Sequence, residues 1–172
     1  MATYESANGN VTTSFSQIDR TPLFKPGHRV VTEGGEVYRY CKIATDIALA
    51  TNASSVAMAI TFTYDSATGA ITGATAAASG ASGRIDGVLH QAVDGSPTAA
   101  YTWVKTSGVA LGHPAAAGVN AAGIYTGVFN ASTAMQVVPT TVAASGDQHV
   151  RAVSLATRDG NGMAPMLLLP WF

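Results

Sequence analysis

Apolar and polar residues alternate with a period of two over several short stretches of this chain, the pattern of strands with one packed face. The first stretch covers residues 27–32 and 37–43, β-branched and aromatic on both sides of Glu33-Gly34-Gly35-Glu36. That arrangement predicts a hairpin, with Gly34-Gly35 supplying the positive φ angles of a tight turn. Residues 56–64 alternate Val, Met, Ile, Phe and Tyr with Ala and Thr, predicting a strand, and a turn over 65–69 leads into a short returning strand at Ala70-Ile71-Thr72. Residues 84–92 and 101–106 predict two more strands parted by the turn signal Asp94-Gly95-Ser96-Pro97. Further candidates are 135–138, 150–155 and 166–169, the first two of these being parted by a loop around Ser145-Gly146-Asp147.

Between these stretches the pattern fades. Residues 73–83 are Ala, Ser, Thr and Gly with no amphipathic stripe, and glycines at 73, 80 and 83 interrupt any helix, so a loop is expected. From 107 to 127 glycine recurs at 108, 112, 118, 123 and 127, which suggests short strands such as Val109-Ala110-Leu111 joined by glycine turns. Asp46 is placed to cap one short helical turn. The expected fold is all-β: a single compact β-sandwich or β-barrel domain over residues 28–172, with an extended N-terminal arm over residues 1–27.

The arm has few aliphatic residues, many Ser, Thr and Asn, and prolines at 22 and 26. Such a segment orders most easily by lying on something else, and its own domain and a neighbouring subunit both stay open as supports. Removing residues 2–24 is accordingly expected to leave a folded domain that binds its assembly less well.

Composition sharpens the picture. Of 172 residues, 47% are hydrophobic and only 11% charged, against roughly 25% charged in an average soluble domain. A surface so poor in charge suits a chain whose exterior is partly covered by partners, although Thr, Ser, Asn and Gly also supply polarity. Nine basic and ten acidic residues give a net charge of −1, too little positive field to hold a phosphate backbone, so nucleic acid is not an expected partner. No apolar run reaches the length of a membrane span, and Met1-Ala2-Thr3-Tyr4-Glu5 does not open a secretory leader, so neither a membrane nor export is expected. The apolar end, residues 166–172, reads as a final strand or a docking tail. Cys41 is the single cysteine, which excludes a disulfide within the chain and fits a buried strand position.

Motifs for chemistry are missing. His28, His90, His113 and His149 show no metal-ligand spacing, and neither a nucleophile elbow nor a phosphate loop is present. Glu33 and Glu36, Asp147 and Asp159 sit in glycine-rich turns, where a carboxyl stays solvated and its pKa is not raised for acid catalysis. Asp159-Gly160-Asn161-Gly162 lacks the full calcium-loop pattern, and three Asn-X-Ser/Thr triplets read as chance matches. No enzyme, cofactor or metal is expected.

Aromatic residues offer more. Tyr38 and Tyr40 share one strand face, as do Tyr101 and Trp103, and such pairs serve core packing, subunit contact or a sugar platform, in that order. The candidate partner-contact residues are Phe15, Phe24, Tyr101, Trp103, Trp171 and Phe172.

Two segments carry a resemblance: Pro26-Gly27-His28-Arg29-Val30-Val31-Thr32 with Glu36-Val37-Tyr38-Arg39-Tyr40, and Gly87-Val88-Leu89-His90-Gln91-Ala92 with Tyr101-Thr102-Trp103-Val104-Lys105-Thr106-Ser107-Gly108. Together, over about a third of the chain, they resemble the small β-rich head decoration proteins of tailed bacteriophages. The resemblance implies a capsid cement protein, a homo-oligomer with the trimer favoured, seated on the major capsid protein at the virion surface after synthesis in the host cytoplasm. It carries over no catalytic residue. A phage tail, knob or fibre component and a β-sandwich carbohydrate-active enzyme are the alternatives.

Overall fold

A computed structural model describes residues 4–6, 9–11, 14–44, 59–76, 86–89, 91, 93, 100–112, 128–130, 133–138, 152–156 and 163–169. Among them there is no helix. The fold is all-β, as the alternation predicts. The expected helical turn after Asp46 lies outside the described residues.

The central unit is a closed ring. Strands β4 (Val37–Ile43), β8 (Ala100–Gly112), β7 (Gly87–Leu89), β5 (Ala59–Tyr64) and β6 (Ile71–Ala76) pair in that order, and β6 returns to β4. All contacts round the ring are antiparallel except β4–β6, which is parallel and limited to the end of β4, with Ile43 opposite Ala74. The remainder of that edge of β4 belongs to β3 (Arg29–Val31), which pairs Arg29 with Arg39 and Val31 with Val37. One edge therefore passes from one partner to another, and a seam opens between β3 and β6.

The β3–β4 hairpin is present, with a different turn from the one expected. Gly35 N–H donates to Thr32 O and Thr32 N–H to Glu36 O, each at 2.9 Å, so the loop holds three residues. Only Gly35 takes a positive φ, 78°, which is the left-handed position after a three-residue loop; Gly34 needs no such freedom.

Two expectations about loops are corrected. Residues 73–76 belong to β6, because that strand approaches β4 so closely that only a small residue fits. A Cβ on Gly73 would stand 3.0 Å from Lys42 O and 3.1 Å from Thr63 Oγ1. Low complexity here is a packing requirement. Likewise Gly108 does not end a strand. β8 runs for thirteen residues, absorbing an extra residue as a bulge where the register passes from Tyr38↔Lys105 to Val37↔Ser107, with Gly108 at φ 98° just beyond. Past the bulge β8 pairs with β12 (Ala164–Leu168), and β12 with β11 (Ala152–Ser154), so a sheet extension hangs from the ring. Separate pairings join β1 (Tyr4–Ser6) to β2 (Gly9–Val11) and β9 (Val128–Asn130) to β10 (Thr133–Val138).

Two cores follow from alternation along β4 and β8. Cys41, Ile43, Ala100 and Val104 face inward to meet Ile60, Phe62, Ala74 and Leu89 inside the ring. Tyr38, Tyr40 and Trp103 face outward, and that outer wall is covered by residues 14–27. Of the two supports open to the arm, this part takes its own domain. Phe15 lies flat on Tyr38, with ring centroids 3.9 Å apart and planes within 4°, and meets Trp103 edge-on at 5.4 Å. Phe24 reaches Tyr40 and Trp103, each at 5.2 Å.

Polar groups fasten the same strap. Asp19 exchanges backbone hydrogen bonds with Tyr101, accepts from the Tyr40 hydroxyl at 2.6 Å, and Gln17 O accepts from Thr102 Oγ1 at 2.8 Å. Upstream, β1 comes to rest beside β3, so the arm begins with a hairpin rather than running extended throughout.

Candidate functional site

The expected partner-contact residues divide by position. Trp103 is fully buried and Phe15 is 8% exposed, so both are interior residues, and the partner-contact expectation is corrected to core packing for them. Phe24 and Tyr101 are half-buried against the same cluster. Trp171 and Phe172 lie outside the described residues, as do His90, His113, His149, Asp147 and Asp159. The aromatic pairs identified by strand period thus sit together, closed over by the chain's own strap.

The titratable groups inside the fold have structural duties. Asp86 is buried and accepts from Phe62 N–H at 2.7 Å while its own N–H donates to Ile60 O, so its carboxylate extends the β5–β7 ladder where β7 begins. Glu33 is exposed, and Glu36 turns instead toward Lys105, whose ammonium is buried, donates to Glu36 and to the Val109 carbonyl, and sits 5.5 Å from the Tyr38 ring centroid. Tyr38 Oη also donates to Glu36, at 3.1 Å. The two glutamates flanking the turn therefore do not converge as acid and base. Sequence spacing gave no sign of the Lys105–Glu36 pair, which joins positions far apart in the chain.

Glu36→Ala would leave a buried cation with only the Val109 carbonyl and the Tyr38 ring as partners among the described residues. Because Glu36 keeps a third of its side chain exposed, the expected loss is about 1–3 kcal/mol, below the usual cost of breaking a fully buried pair. Urea unfolding of the variant checks it.

Burial raises the Cys41 thiol above its ordinary value, and burial together with the hydrogen bond to Asp19 raises the Tyr40 hydroxyl. In the unfolded chain these groups ionise near pH 8.5 and 10, before their folded counterparts. The stability they contribute is complete below those values and is lost as pH rises beyond them. Urea midpoints should consequently fall between pH 8 and pH 10.5, and fall less steeply in Tyr40→Phe/Cys41→Ala than in the wild type.

Among the described residues no group of histidine, cysteine and carboxylate ligands is placed to hold a metal, and no helix is long and apolar enough to cross a membrane.

Two surface features remain. The first is the outer face of the sheet extension. Register sets Val109 opposite Leu167 and Leu111 opposite Pro165, so the four side chains share one face. Val109 and Leu111 are each 49% exposed, Leu167 and Pro165 are half-buried, and Leu155 continues the exposed apolar surface. The opposite face, with Ala110, Ala164, Met166 and Leu168, is buried. No family model, curated protein or solved structure matches this chain. Its surfaces must be interpreted on their own chemistry.

The second feature is the seam between β3 and β6, which opens into a cavity of about 590 Å³. Val37, Phe62, Ala70 and Ile71 give it apolar lining, and Lys25, Arg29, Arg39, Thr106 and Ser107 are among its polar residues. Among the described residues no carboxylate lines it. This clustering follows from the three-residue loop at 33–35, which sets the hairpin register and brings Arg29 opposite Arg39; the turn expected at Gly34-Gly35 would have set Arg29 opposite Tyr40.

Proposed function

We propose that the chain is a capsid decoration protein, a cement subunit that binds the major capsid protein and stabilises the shell by burying contact area. The observation that carries this reading is the exposed apolar face of Val109, Leu111, Pro165 and Leu167. Aliphatic residues in cross-strand register, backed by a packed layer, offer a partner a rigid and already ordered surface. A face of this kind gains free energy only when another protein removes it from water.

The low charge of the chain and its resemblance to head decoration proteins support the same reading. Self-association into a small ring, a trimer in the simplest case, belongs to it and is checked by sedimentation equilibrium.

The test is co-sedimentation with capsid shells of the encoding phage. Val109→Ser/Leu167→Ser removes apolar contact from the face without touching either core. Its affinity for shells should fall by about a hundredfold, from roughly 1.5 kcal/mol lost at each well-buried aliphatic, while its urea midpoint stays near that of the wild type. Equal binding by variant and wild type would refute this use of the face.

A further inference from the structure

The structure assigns a second role to the β3–β6 seam: we propose that it receives a carboxylate side chain from an acidic segment of the shell protein. Two independent observations lead there, and the inference rests on the cement reading above.

The first is an unfavourable pairing. Arg29 and Arg39 are direct cross-strand partners, an arrangement in which like charges oppose folding. The chain has only nine lysines and arginines, yet two face each other here and Lys25 joins them at the same cavity. Among the described residues no carboxylate pairs with any of the three. Arg39 donates one hydrogen bond to Gly27 O at 3.1 Å, which fixes its guanidinium at the rim and leaves further N–H groups for a ligand. An anion seated between the two guanidiniums would relieve the repulsion and accept forked hydrogen bonds from both.

The second is the shape and lining of the cavity. Gly27 holds φ at 88°, and a Cβ there would stand 3.2 Å from Ile71 Cβ, so the strap crosses close to β6 and walls the seam on that side. His28 borders the cavity too, while its ring stacks on Phe24 at 5.4 Å and meets Trp103 at 6.1 Å, so it anchors the strap beside the seam. Apolar lining and cationic rim together suit a short peptide in which carboxylates alternate with aliphatic side chains. A phosphate backbone would need a continuous basic track, which a chain of net charge −1 does not provide. The apolar sheet face would then supply buried area, and the seam would supply orientation and partner choice.

The test uses the full chain in two arms. In the first, the end-blocked peptide Leu-Glu-Leu-Glu-Leu is titrated into wild type and Lys25→Gln/Arg29→Gln by NMR. Both substituted side chains are exposed and leave the Arg39–Gly27 contact intact. The wild type should bind, shifting the amide signals of Gly27, Arg39 and Ile71, and the variant should bind about tenfold or more weakly, the loss expected for removing charge-assisted contacts. The matching Leu-Gln-Leu-Gln-Leu peptide should not bind. No binding of the acidic peptide, equal binding of the glutamine peptide, or tighter binding of oligothymidylate or inorganic phosphate would each overturn the proposal.

In the second arm the same variant is sedimented with shells. Weakened binding, more so at higher salt, is the expected result. Full binding by Lys25→Gln/Arg29→Gln alongside lost binding by Val109→Ser/Leu167→Ser would sink the seam while sparing the cement reading. Failure of the wild type to sediment with shells would sink the cement reading itself, and the peptide arm would still decide whether the seam takes carboxylates.

Discussion

Deletion of residues 2–24 is expected to destabilise the barrel by about 3 kcal/mol or more, the lower end of the cost of losing a single buried phenylalanine. Phe15 and Phe24 both go with the deletion; Phe15 packs on Tyr38 and Trp103, and Phe24 on Tyr40 and Trp103. The Tyr40 hydroxyl would also lose Asp19 and the Leu23 amide, its two partners on the strap. A domain of this size is stable by only about 5–15 kcal/mol in total, so the truncated chain should unfold at a much lower urea concentration and expose dye-binding apolar surface. An unchanged midpoint would mean that the strap is dispensable. Composition alone left both the arm's own domain and a neighbouring subunit open as its support, and led to the expectation that its removal leaves a folded domain. What it lacked was the location of the anchors' partners, which come from β4 and β8, far along the chain.

Trp103→Ala should cost about 3–5 kcal/mol, the range for truncating a fully buried large aromatic. Trp103 stands opposite Tyr40 in the β4–β8 register and is touched by Phe15, Phe24 and Tyr40, so its removal empties the centre of the outer core. Near-ultraviolet circular dichroism should lose much of its aromatic signal, and the urea midpoint should fall accordingly. Trp103→Phe, which keeps an aromatic ring in the gap, should cost clearly less. Equal losses for Ala and Phe would show that the indole N–H, rather than packing, is what the site requires.

Legibility in the sequence followed the range of the interaction involved. Strands with strong period-2 alternation were readable, because each residue's own chemistry declares its face; β4, β5 and the first half of β8 are examples. Turns were readable where glycine answers a local backbone demand, as at Gly35. The errors arose where glycine answers a tertiary demand. Gly73 is small because β4 passes beside it. Gly87, where a Cβ would stand 2.6 Å from both Lys105 O and Val104 Cγ1, answers the same kind of demand in β7, a strand that the pattern over 84–92 did predict. Nothing local separates such glycines from loop glycines. Gly108 adds a third case, a bulge that redirects β8 from the ring to the extension.

Candidate sites followed the same rule. Tyr38 with Tyr40 and Tyr101 with Trp103 were correctly grouped by face, but whether that face meets solvent or a strap depends on Phe15 and Phe24. The apolar sheet face also needs two strands in register: Val109 and Leu111 alternate visibly in the sequence, whereas their pairing with Leu167 and Pro165 comes from the fold.

If the chain is the capsid cement subunit proposed above, electron cryomicroscopy of the phage particle carrying it tests the central claim most directly. Copies of this barrel should appear on the outer surface of the head, with Val109, Leu111, Pro165 and Leu167 packed against the major capsid protein. Density for the chain elsewhere in the particle, or on the head with that sheet face turned to solvent, would contradict the account.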